Sequence, residues 1–333
     1  MTDAWKPQVN GVVRTMTTVI GELEAMGHVV EVVGPDRFST IPCPTYPDIR
    51  LALFPYRRVA RTIEAFRPDA LHISTEGPLG LAARRWARRH RAGFTTAFHT
   101  RFAEYISART GMPVWPIYAW MRRFHAAGAG VMVATQSLRN DLALRGFHNI
   151  LTWTRGVDLA LFKAGGDNAF PDLPRPVFIY IGRVAVEKNV GAFLDLDLPG
   201  SKVVVGGGPQ LDALRQTYPR VVFTGPRFGA ELARSYASAD VFVFPSLTDT
   251  FGLVLLEALA CGTPVAAYPV TGPVDVLAAA AGKVGAVNND LRTAALAALD
   301  ADRTACRAHA ETYSWRACAD AFVANLVPIG LRW

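Results

Sequence analysis

Residues 241–267 read VFVFPSLTDTFGLVLLEALACGTPVAA. Short apolar runs typical of buried strands stand at both ends of this stretch, at Val241–Phe244 and Pro264–Ala267. Between them a helix is predicted to begin near Gly252, and because it is apolar nearly all round it is expected to be buried. A strand, a buried helix and a second strand form a βαβ unit, which predicts a parallel sheet.

The same alternation continues along the rest of the chain. Further strands are predicted at Val29–Val33, Ala70–Ile73, Phe94–Phe98, Val131–Thr135, Val177–Ile181, Lys202–Val205 and Val221–Thr224. The segments between them are long enough for helices. This pattern predicts an α/β protein whose doubly wound parallel sheets have helices on both faces.

The length predicts two domains. A chain of 333 residues that is 50% hydrophobic can build two sizeable cores. Glycine, proline and charge are concentrated in Lys163–Pro176, which is typical of a linker. The predicted organisation is an N-terminal domain over residues 1–160, a linker over 161–176, a second domain over 177–312, and an amphipathic C-terminal helix over 313–333 that packs back toward the first domain.

The beginning of the chain departs from the regular alternation. Apolar residues with helical spacing, from Val12 to Met26, precede the predicted strand Val29–Val33. The strand that should come before this helix would end before Pro7, and only six residues stand there. We therefore expect the first strand of the N-terminal domain to be missing or truncated.

The charge is divided unevenly between the two halves. The net charge is +7; residues 1–150 hold 19 Lys and Arg against 11 Asp and Glu, whereas residues 151–333 hold 16 against 17. Five arginines crowd into Arg84–Arg91, and aromatic and basic residues alternate in Trp115–Phe124. These segments are typical of a patch for anionic membranes, or else of solvated helix faces in an arginine-rich protein. Nucleic acid is disfavoured because no binding motif accompanies the charge.

Cysteine usage and hydropathy indicate the compartment. The four cysteines are far apart and include no C-x-x-C pair, which argues against a zinc site and a disulfide framework. The longest uncharged stretch, Ala258–Val274, is interrupted by glycine and proline, so no spanning helix is predicted, and no signal peptide is expected. We expect a cytoplasmic protein, peripheral at the inner face of the cytoplasmic membrane.

Two loops that follow predicted strands carry candidate ligand-binding residues. Arg183 and Lys188 follow the strand Val177–Ile181, where ligands bind in doubly wound sheets, and they suit a diphosphate; alternatively they are solvated basic residues. The run Gly206–Pro209 allows a ligand to approach the backbone, or is a plain turn. The dinucleotide fingerprint is absent because Leu211 stands in the third glycine position, so NAD is not predicted.

Four carboxylates are candidates for binding a ligand or a metal. Glu257 lies in the buried helix, where ribose hydroxyls or a nearby arginine would satisfy it. Asp249 precedes that helix; taken alone it is expected to cap the helix rather than to bind a sugar hydroxyl. The pair Asp195-x-Asp197 has metal-binding spacing but lies away from the glycine loops, so a solvated helix end is favoured and no required metal is predicted.

The motifs taken together resemble a known family, the retaining glycosyltransferases of family 4, which have the two-domain GT-B fold. The matching segments are Pro7–Arg14, Gly27-His28, Thr75–Gly80, Phe98–Arg101, Gly182-Arg183, Glu187–Asn189, Gly208-Pro209, Ser238–Asp240, Pro245-Ser246 and Phe251–Val265. The resemblance covers nearly the whole chain. It is strongest toward bacterial members related to sulfoquinovosyl-, glucuronosyl- or mannosyl-transferring enzymes that act on membrane lipids.

The resemblance implies a nucleotide-diphosphate-sugar donor, bound mainly by the second domain, with reaction in the cleft between the domains. No cofactor beyond this donor is implied. Residues implied at the reaction centre are His99, Arg183, Lys188, Asp249 and Glu257. Donor contacts are implied for Gly11, Gly182, Gly206, Gly208, Pro209, Thr250, Phe251, Gly252, Leu253 and Glu257, and acceptor-side contacts for Asn10, Glu76, Arg101 and Tyr105.

Members of the family have two glutamates with seven residues between them. In this chain the first of the two is replaced by Asp249, and the second is Glu257. The implied function is transfer of a hexose, with UDP-sugars favoured as donor and GDP-mannose possible, to a membrane lipid such as diacylglycerol. One alternative is the same chemistry on a soluble or polysaccharide acceptor. The other is a truncated, inactive or merely nucleotide-binding paralogue.

Overall fold

The structure, a computed structural model, describes residues 1–8, 10–43, 46–247, 249–278, 280 and 282–331. Val9 and Thr248, which belong to segments quoted above, lie outside the described residues. The chain divides into two compact units: the first runs from Met1 to Arg155 and resumes at Trp315, and the second is Gly156–Ser314. The C-terminal segment thus belongs to the first unit.

The first unit contains a parallel sheet and a separate hairpin. Its strands are β1 (Thr40–Cys43), β2 (Tyr46–Ala52), β3 (His72–Ile73), β4 (Thr95–Ala97), β5 (Gly130–Val133) and β6 (Ile150–Thr152). Its first six helices are α1 (Gly11–Ala25), α2 (Tyr56–Phe66), α3 (Pro78–His90), α4 (Phe102–Thr110), α5 (Val114–His125) and α6 (Gln136–Leu144). Strands β3 to β6 lie side by side in chain order, and β1 pairs with β2 antiparallel.

The second unit contains a larger parallel sheet. Its strands are β7 (Val177–Ile181), β8 (Ser201–Val205), β9 (Val222–Gly225), β10 (Val241–Phe244), β11 (Val265–Ala267) and β12 (Gly285–Val287). Its helices are α7 (Val190–Leu194), α8 (Leu211–Thr217), α9 (Gly229–Ala237), α10 (Leu253–Ala260), α11 (Thr271–Ala278), α12 (Leu291–Ala297) and α13 (Arg303–Ala310). The last helix, α14 (Trp315–Asn325), returns to the first unit.

The strand order of the second sheet determines where a ligand can bind. The order is β12-β11-β10-β7-β8-β9, with every neighbouring pair parallel. The chain therefore winds outward in one direction from β7 and in the other from β10. Connections on opposite faces leave a crevice beyond the carboxyl ends of these two central strands, which is the usual ligand site in doubly wound sheets.

The predicted strand Val29–Val33 is wrong, because the structure assigns no strand there and Val29 is 84% exposed. The neighbours of this segment are the first residues of the chain. The N–H of Thr2 donates to the carbonyl of Val33 at 3.1 Å, and the N–H of Ser74 donates to the carbonyl of Met1 at 2.8 Å. One bond toward Val33 does not make a strand ladder. The expectation of a missing first strand stays a prediction.

The predicted C-terminal helix is shorter than expected, because α14 ends at Asn325. Pro328 has no N–H to continue a helix, and Gly330 has a φ of +73°. The chain after α14 instead pairs with the first unit: the N–H of Ile329 donates to the carbonyl of Asp69 at 2.8 Å, and the N–H of Gly93 donates to the carbonyl of Ile329 at 2.9 Å. Among the described residues, no helix has both the length and the apolar character needed to cross a membrane.

Candidate active site

The loops that follow β7 and β10 meet through an ion pair. The Lys188 ammonium lies 2.7 Å from both carboxylate oxygens of Asp249, and the two side chains are only 22% and 17% exposed. The interpretation of Asp249 as a helix cap is wrong, because the N-cap of α10 is Gly252, three residues further along the chain. The carboxylate is engaged by the ammonium instead, at the crevice between the central strands.

Three further hydrogen bonds hold these loops in place. The Asn189 side-chain amide donates to the carbonyl of Pro245 at 3.2 Å, and the Ser246 hydroxyl donates to the carbonyl of Glu187 at 3.4 Å. The Thr271 hydroxyl, at the start of α11, donates to the carbonyl of Asp249 at 3.1 Å. Such contacts keep a site preorganised before a ligand arrives.

Arg183 lies on a backbone that runs directly alongside the glycine loop. The N–H groups of Gly182 and Val184 donate to the carbonyls of Val205 and Gly207 at 3.0 and 2.9 Å, and the Tyr180 hydroxyl donates to the carbonyl of Arg183 at 2.7 Å. The ladder between β7 and β8 therefore continues beyond the strands. The Arg183 side chain starts from a fixed position at the edge of the crevice.

This close approach explains two of the three glycines in the loop. A Cβ on Gly206 would lie 1.8 Å from the Gly182 carbonyl oxygen, and one on Gly208 would lie 2.3 Å from the Val184 carbonyl oxygen. A Cβ on Gly207 would have no neighbour closer than 3.9 Å. The outer glycines are therefore required by backbone packing, whether or not a ligand also approaches them.

The start of α10 offers backbone donors beside the ion pair. Gly252, with a φ of +81°, turns the chain into the helix. Among the described residues, no backbone carbonyl accepts from the N–H groups of Phe251, Gly252 or Leu253. Unsatisfied N–H groups at a helix start carry partial positive charge and suit an anion. Thr250 lies half-buried just before this turn.

Glu257 lies inside the second unit, where it is 3% exposed. The hydroxyl of Tyr236, a fully buried residue of α9, donates to its Oε2 at 3.1 Å. Tyr236 is itself held edge-on against Phe162 and Phe242, with ring centroids 6.0 and 5.6 Å away. The sequence indicates a ribose hydroxyl or an arginine as the partner of Glu257 and gives no signal for Tyr236.

His99 follows β4 in the first unit and contacts a buried arginine. Its Nδ1 lies 3.4 Å from a terminal nitrogen of Arg155, which is 4% exposed. Burial, followed by the charge of Arg155, lowers the pKa of His99 well below its ordinary value, so the imidazole is neutral. Sequence reasoning missed Arg155, because nothing in the segment after β6 marks it as buried or as a neighbour of His99.

The start of α1 holds two other predicted residues. The Asn10 side-chain oxygen accepts from the N–H groups of Val12 and Val13 at 3.0 Å each, so Asn10 caps this helix. Nothing lies within 4 Å of a Cβ built on Gly11. The donor contact that the resemblance implies for Gly11 stays a prediction.

The predicted acceptor-side residues have partners inside the first unit. Glu76 is 5% exposed and its Oε1 lies 3.1 Å from Nε2 of His125, which is 1% exposed. Arg101 donates to Asp141 at 2.9 Å and to Glu104 at 3.2 Å. Tyr105 lies half-buried on α4.

The segment around Glu76 also binds Asp3, which sequence reasoning missed. The Asp3 carboxylate accepts from the N–H groups of Leu79 and Gly80 at 2.9 and 3.3 Å and from the Thr75 hydroxyl at 2.9 Å. A Cβ on Gly77 would lie 2.5 Å from the Asp3 carboxyl carbon. Part of the TEGPLG motif therefore serves to hold Asp3 at the start of α3.

The pair Asp195-x-Asp197 lies at a helix end. Asp195 caps the C-terminus of α7 and accepts from the Tyr218 hydroxyl, while the Asp197 carbonyl accepts from Arg292 at 2.8 Å. Among the described residues, no group of three or more His, Cys, Asp or Glu side chains has the arrangement of a metal site.

The structure thus brings Lys188, Asp249, the Arg183 loop and the start of α10 together at one crevice of the second unit. Comparison with known proteins shows the family to which the chain belongs. The profile described as Glycosyltransferase Family 4 matches residues 9–161, and that described as Glycosyl transferases group 1 matches residues 175–301. A GDP-mannose-dependent alpha-mannosyltransferase of Mycobacterium tuberculosis is 30% identical over 302 residues, which are 83% of this chain and 79% of that protein.

The chain belongs to glycosyltransferase family 4. Two other relatives of this glycosyltransferase carry names that refer to different products. A sulfoquinovosyl transferase of Arabidopsis thaliana is 31% identical over 72% of this chain and 50% of that protein. An alpha-monoglucosyldiacylglycerol synthase of Streptococcus pneumoniae is 26% identical over 80% of this chain and 70% of that protein.

Solved structures support the fold of this family member. Sucrose-phosphate synthase from Thermosynechococcus elongatus has a TM-score of 0.73 at 21% identity, covering 95% of this chain and 92% of that chain. Anabaena HepE in complex with UDP-glucose has a TM-score of 0.69 at 15% identity, covering 96% and 97%. The prediction of a GT-B fold with two Rossmann-like units is confirmed.

Proposed function

We propose that this glycosyltransferase moves a hexose from a nucleotide-diphosphate sugar to a membrane lipid, with retention of anomeric configuration and without a required metal. The observation that supports this most directly is the crevice at β7 and β10. Lys188 and Arg183 lie in the loop after β7, and the N–H groups at the start of α10 follow β10, the neighbouring strand. A diphosphate is the ligand whose charge and acceptor oxygens match that set.

The chemistry that these groups supply is electrostatic. When the bond between sugar and diphosphate breaks, negative charge grows on the leaving phosphate. Lys188 and Arg183 would stabilise that charge more strongly in the transition state than in the bound donor, which raises turnover. Two cations in the loop after β7 would supply the charge that a divalent metal supplies in other transferases, and this is the reason for proposing metal independence.

The proposed lipid acceptor rests on a basic and aromatic surface of the first unit, formed by α2, α3 and α5. The guanidinium of Arg85 on α3 lies 4.7 Å from the ring centroid of Tyr56 on α2. Arg84 on the same helix donates to the carbonyls of Phe124 and Arg123 on α5 at 2.9 and 2.8 Å. The three helices therefore form one continuous surface.

Apolar and charged side chains project together from this surface. Phe54, Trp115 and Trp120 are 95%, 72% and 45% exposed. Arginines exposed on the same helices are Arg57, Arg58, Arg61, Arg85, Arg88, Arg89, Arg122 and Arg123. Basic residues near an anionic bilayer contribute about 1 kcal/mol each, and Trp and Phe side chains insert at the headgroup layer. Phe54 and the α2 arginines were not singled out from the sequence.

Paired donor and acceptor assays test the proposal. Purified protein is incubated with UDP-glucose, UDP-glucuronic acid or GDP-mannose, in each case with diacylglycerol in anionic mixed micelles or with soluble saccharides. We expect nucleotide release with one donor, labelled sugar in the organic phase, an α-linked product by NMR, and full activity in EDTA. Product confined to the aqueous phase would contradict the lipid acceptor, and loss of activity in EDTA would contradict metal independence.

A further inference from the structure

Arg155 occupies an unusual position for an arginine. It is 4% exposed, and one of its terminal nitrogens donates to the carbonyls of Trp153 and Thr154 at 2.6 and 2.9 Å. The other terminal nitrogen lies 3.4 Å from Nδ1 of His99. Among the described residues, no carboxylate forms an ion pair with it. Burying a guanidinium without a carboxylate partner costs free energy. This cost indicates that Arg155 has a role besides packing.

The Trp153 indole contacts both the Arg155 guanidinium and the His99 imidazole. The Arg155 guanidinium carbon lies 4.2 Å from the indole centroid, and the His99 ring meets the same indole edge-on, with centroids 5.7 Å apart and planes at 71°. The indole is fully buried and its Nε1–H donates to the carbonyl of Cys318 at 3.1 Å. One rigid aromatic side chain therefore orients both the guanidinium and the imidazole.

We propose that Arg155 is the positioning residue for His99: it holds the imidazole with Nδ1 as acceptor, so that the single ring proton lies on Nε2. A guanidinium has donors only and stays protonated, which leaves Nδ1 no role but acceptor. Nε2, which is buried, is then a hydrogen-bond donor, the role that a contact with a sugar hydroxyl would use. The part that concerns the sugar rests on the proposed function; the tautomer does not.

The surroundings of His99 favour the same neutral state. The charged or titratable groups that face it are Arg155, His72 on β3 and His125 on α5, and each lowers its pKa when cationic. Burial lowers the pKa of Arg155 only to about 10, so its charge persists at neutral pH, whereas burial lowers the pKa of His72 to about 3. His99 is therefore expected to keep one protonation state across pH 6–8, as a fixed donor requires.

The tautomer can be observed directly in the full-length protein. Long-range ¹H–¹⁵N correlation spectra of the labelled protein, assigned with His99→Gln, distinguish a protonated Nε2 from a protonated Nδ1. We expect a protonated Nε2 with no titration of His99 between pH 8 and 5. A protonated Nδ1 would overturn the proposal, and this result does not depend on turnover of any donor.

Two variants separate positioning from packing. In Arg155→Met we expect the His99 pKa to rise by about one unit or more, and kcat to fall about tenfold while the donor KM changes less than about twofold. Arg155→Lys keeps the charge and should leave the His99 pKa within about half a unit of the parent value. An unchanged His99 pKa in folded Arg155→Met would overturn the proposal.

The matched control is Arg145→Met. Arg145 also stacks on an aromatic ring of the first unit, 4.1 Å from the centroid of Tyr118, but it pairs with Asp141 rather than with His99. Its removal should leave the titration of His99 unchanged. If no donor is turned over by the parent protein, the proposed function fails while the spectra still decide the role of Arg155.

Discussion

The Lys188 ammonium and the Asp249 carboxylate lie 2.7 Å apart at both carboxylate oxygens, although 61 residues separate them along the chain. The positive charge of Lys188, which we propose binds the diphosphate of the donor, is therefore already balanced by the Asp249 carboxylate. A donor has to share or displace this partner. Asp249 thus sets how strongly Lys188 attracts an anion.

Asp249→Asn should tighten the binding of free nucleoside diphosphate by about three- to tenfold, because it removes a negative charge beside the ammonium. Titration calorimetry with UDP and GDP, at low and moderate salt, measures the change. Asp195→Asn, an exposed carboxylate of the same unit, is the control and should leave affinity unaltered. Weaker binding in Asp249→Asn would show that this carboxylate supports the ligand rather than competing with it.

Lys188→Ala should reduce kcat by about a hundredfold or more, since the ammonium is needed chiefly as the diphosphate departs. Its effect on the free energy of unfolding should be only about 1–2 kcal/mol, the cost of leaving a partly buried carboxylate unpaired. Stopped assays and urea unfolding separate the two quantities. Lys283→Ala, an exposed lysine of the same unit, should change neither. Near-normal turnover in folded Lys188→Ala would refute the assignment.

The glycine loop provides an internal comparison. Gly206→Ala and Gly208→Ala should each destabilise the protein by more than about 3 kcal/mol, because the added methyl group would overlap a backbone carbonyl in the adjoining loop. Gly207→Ala should cost less than about 1 kcal/mol, since its Cβ would have no neighbour closer than 3.9 Å. Thermal unfolding of the three variants checks the order. Equal stabilities would show that the loop moves to accept a side chain.

Tyr236→Phe removes the hydroxyl that donates to Glu257. The variant should lose about 1–2 kcal/mol of stability, because a buried carboxylate oxygen loses a hydrogen bond, and the donor KM should rise about three- to tenfold as Glu257 becomes less well held. Tyr218→Phe, which removes an exposed hydroxyl bonded to Asp195, is the matched control. A normal donor KM in Tyr236→Phe would show that the hydrogen bond between Tyr236 and Glu257 does not affect donor binding.

Charge reversal tests the proposed membrane surface. A variant with Arg85, Arg88 and Arg89 changed to glutamate should lose at least about tenfold in affinity for vesicles containing anionic lipid, because attraction becomes repulsion. The control is a second variant in which Arg215 and Arg220, exposed arginines of the second unit, are changed to glutamate. It should bind the vesicles as the parent protein does. Vesicle sedimentation measures both. Equal loss in the two variants would indicate attraction to net charge rather than to this surface.

The elements that the sequence predicted best are the buried central strands. The bounds of β7 and β10 agree with the prediction residue for residue, and α1 begins one residue before the predicted apolar series. Strands buried on both faces are continuous apolar runs, and a helix with one buried face repeats every 3.6 residues, so both are visible locally. The antiparallel pair β1–β2 was missed, because Ile41 and Pro42 of β1 are exposed and no continuous apolar run marks this strand.

The candidate site was likewise predicted only in part from the sequence. The sequence by itself determined which chemical groups follow the central strands, because strand ends and glycine loops are encoded in short segments, and the family resemblance supplied their order. Only the tertiary structure decided how these groups pair: Lys188 with Asp249, Tyr236 with Glu257, Arg155 with His99. Each of these pairs depends on the order of strands in a sheet or on a shared aromatic side chain. Such neighbourhoods form only when segments distant in the chain are packed together.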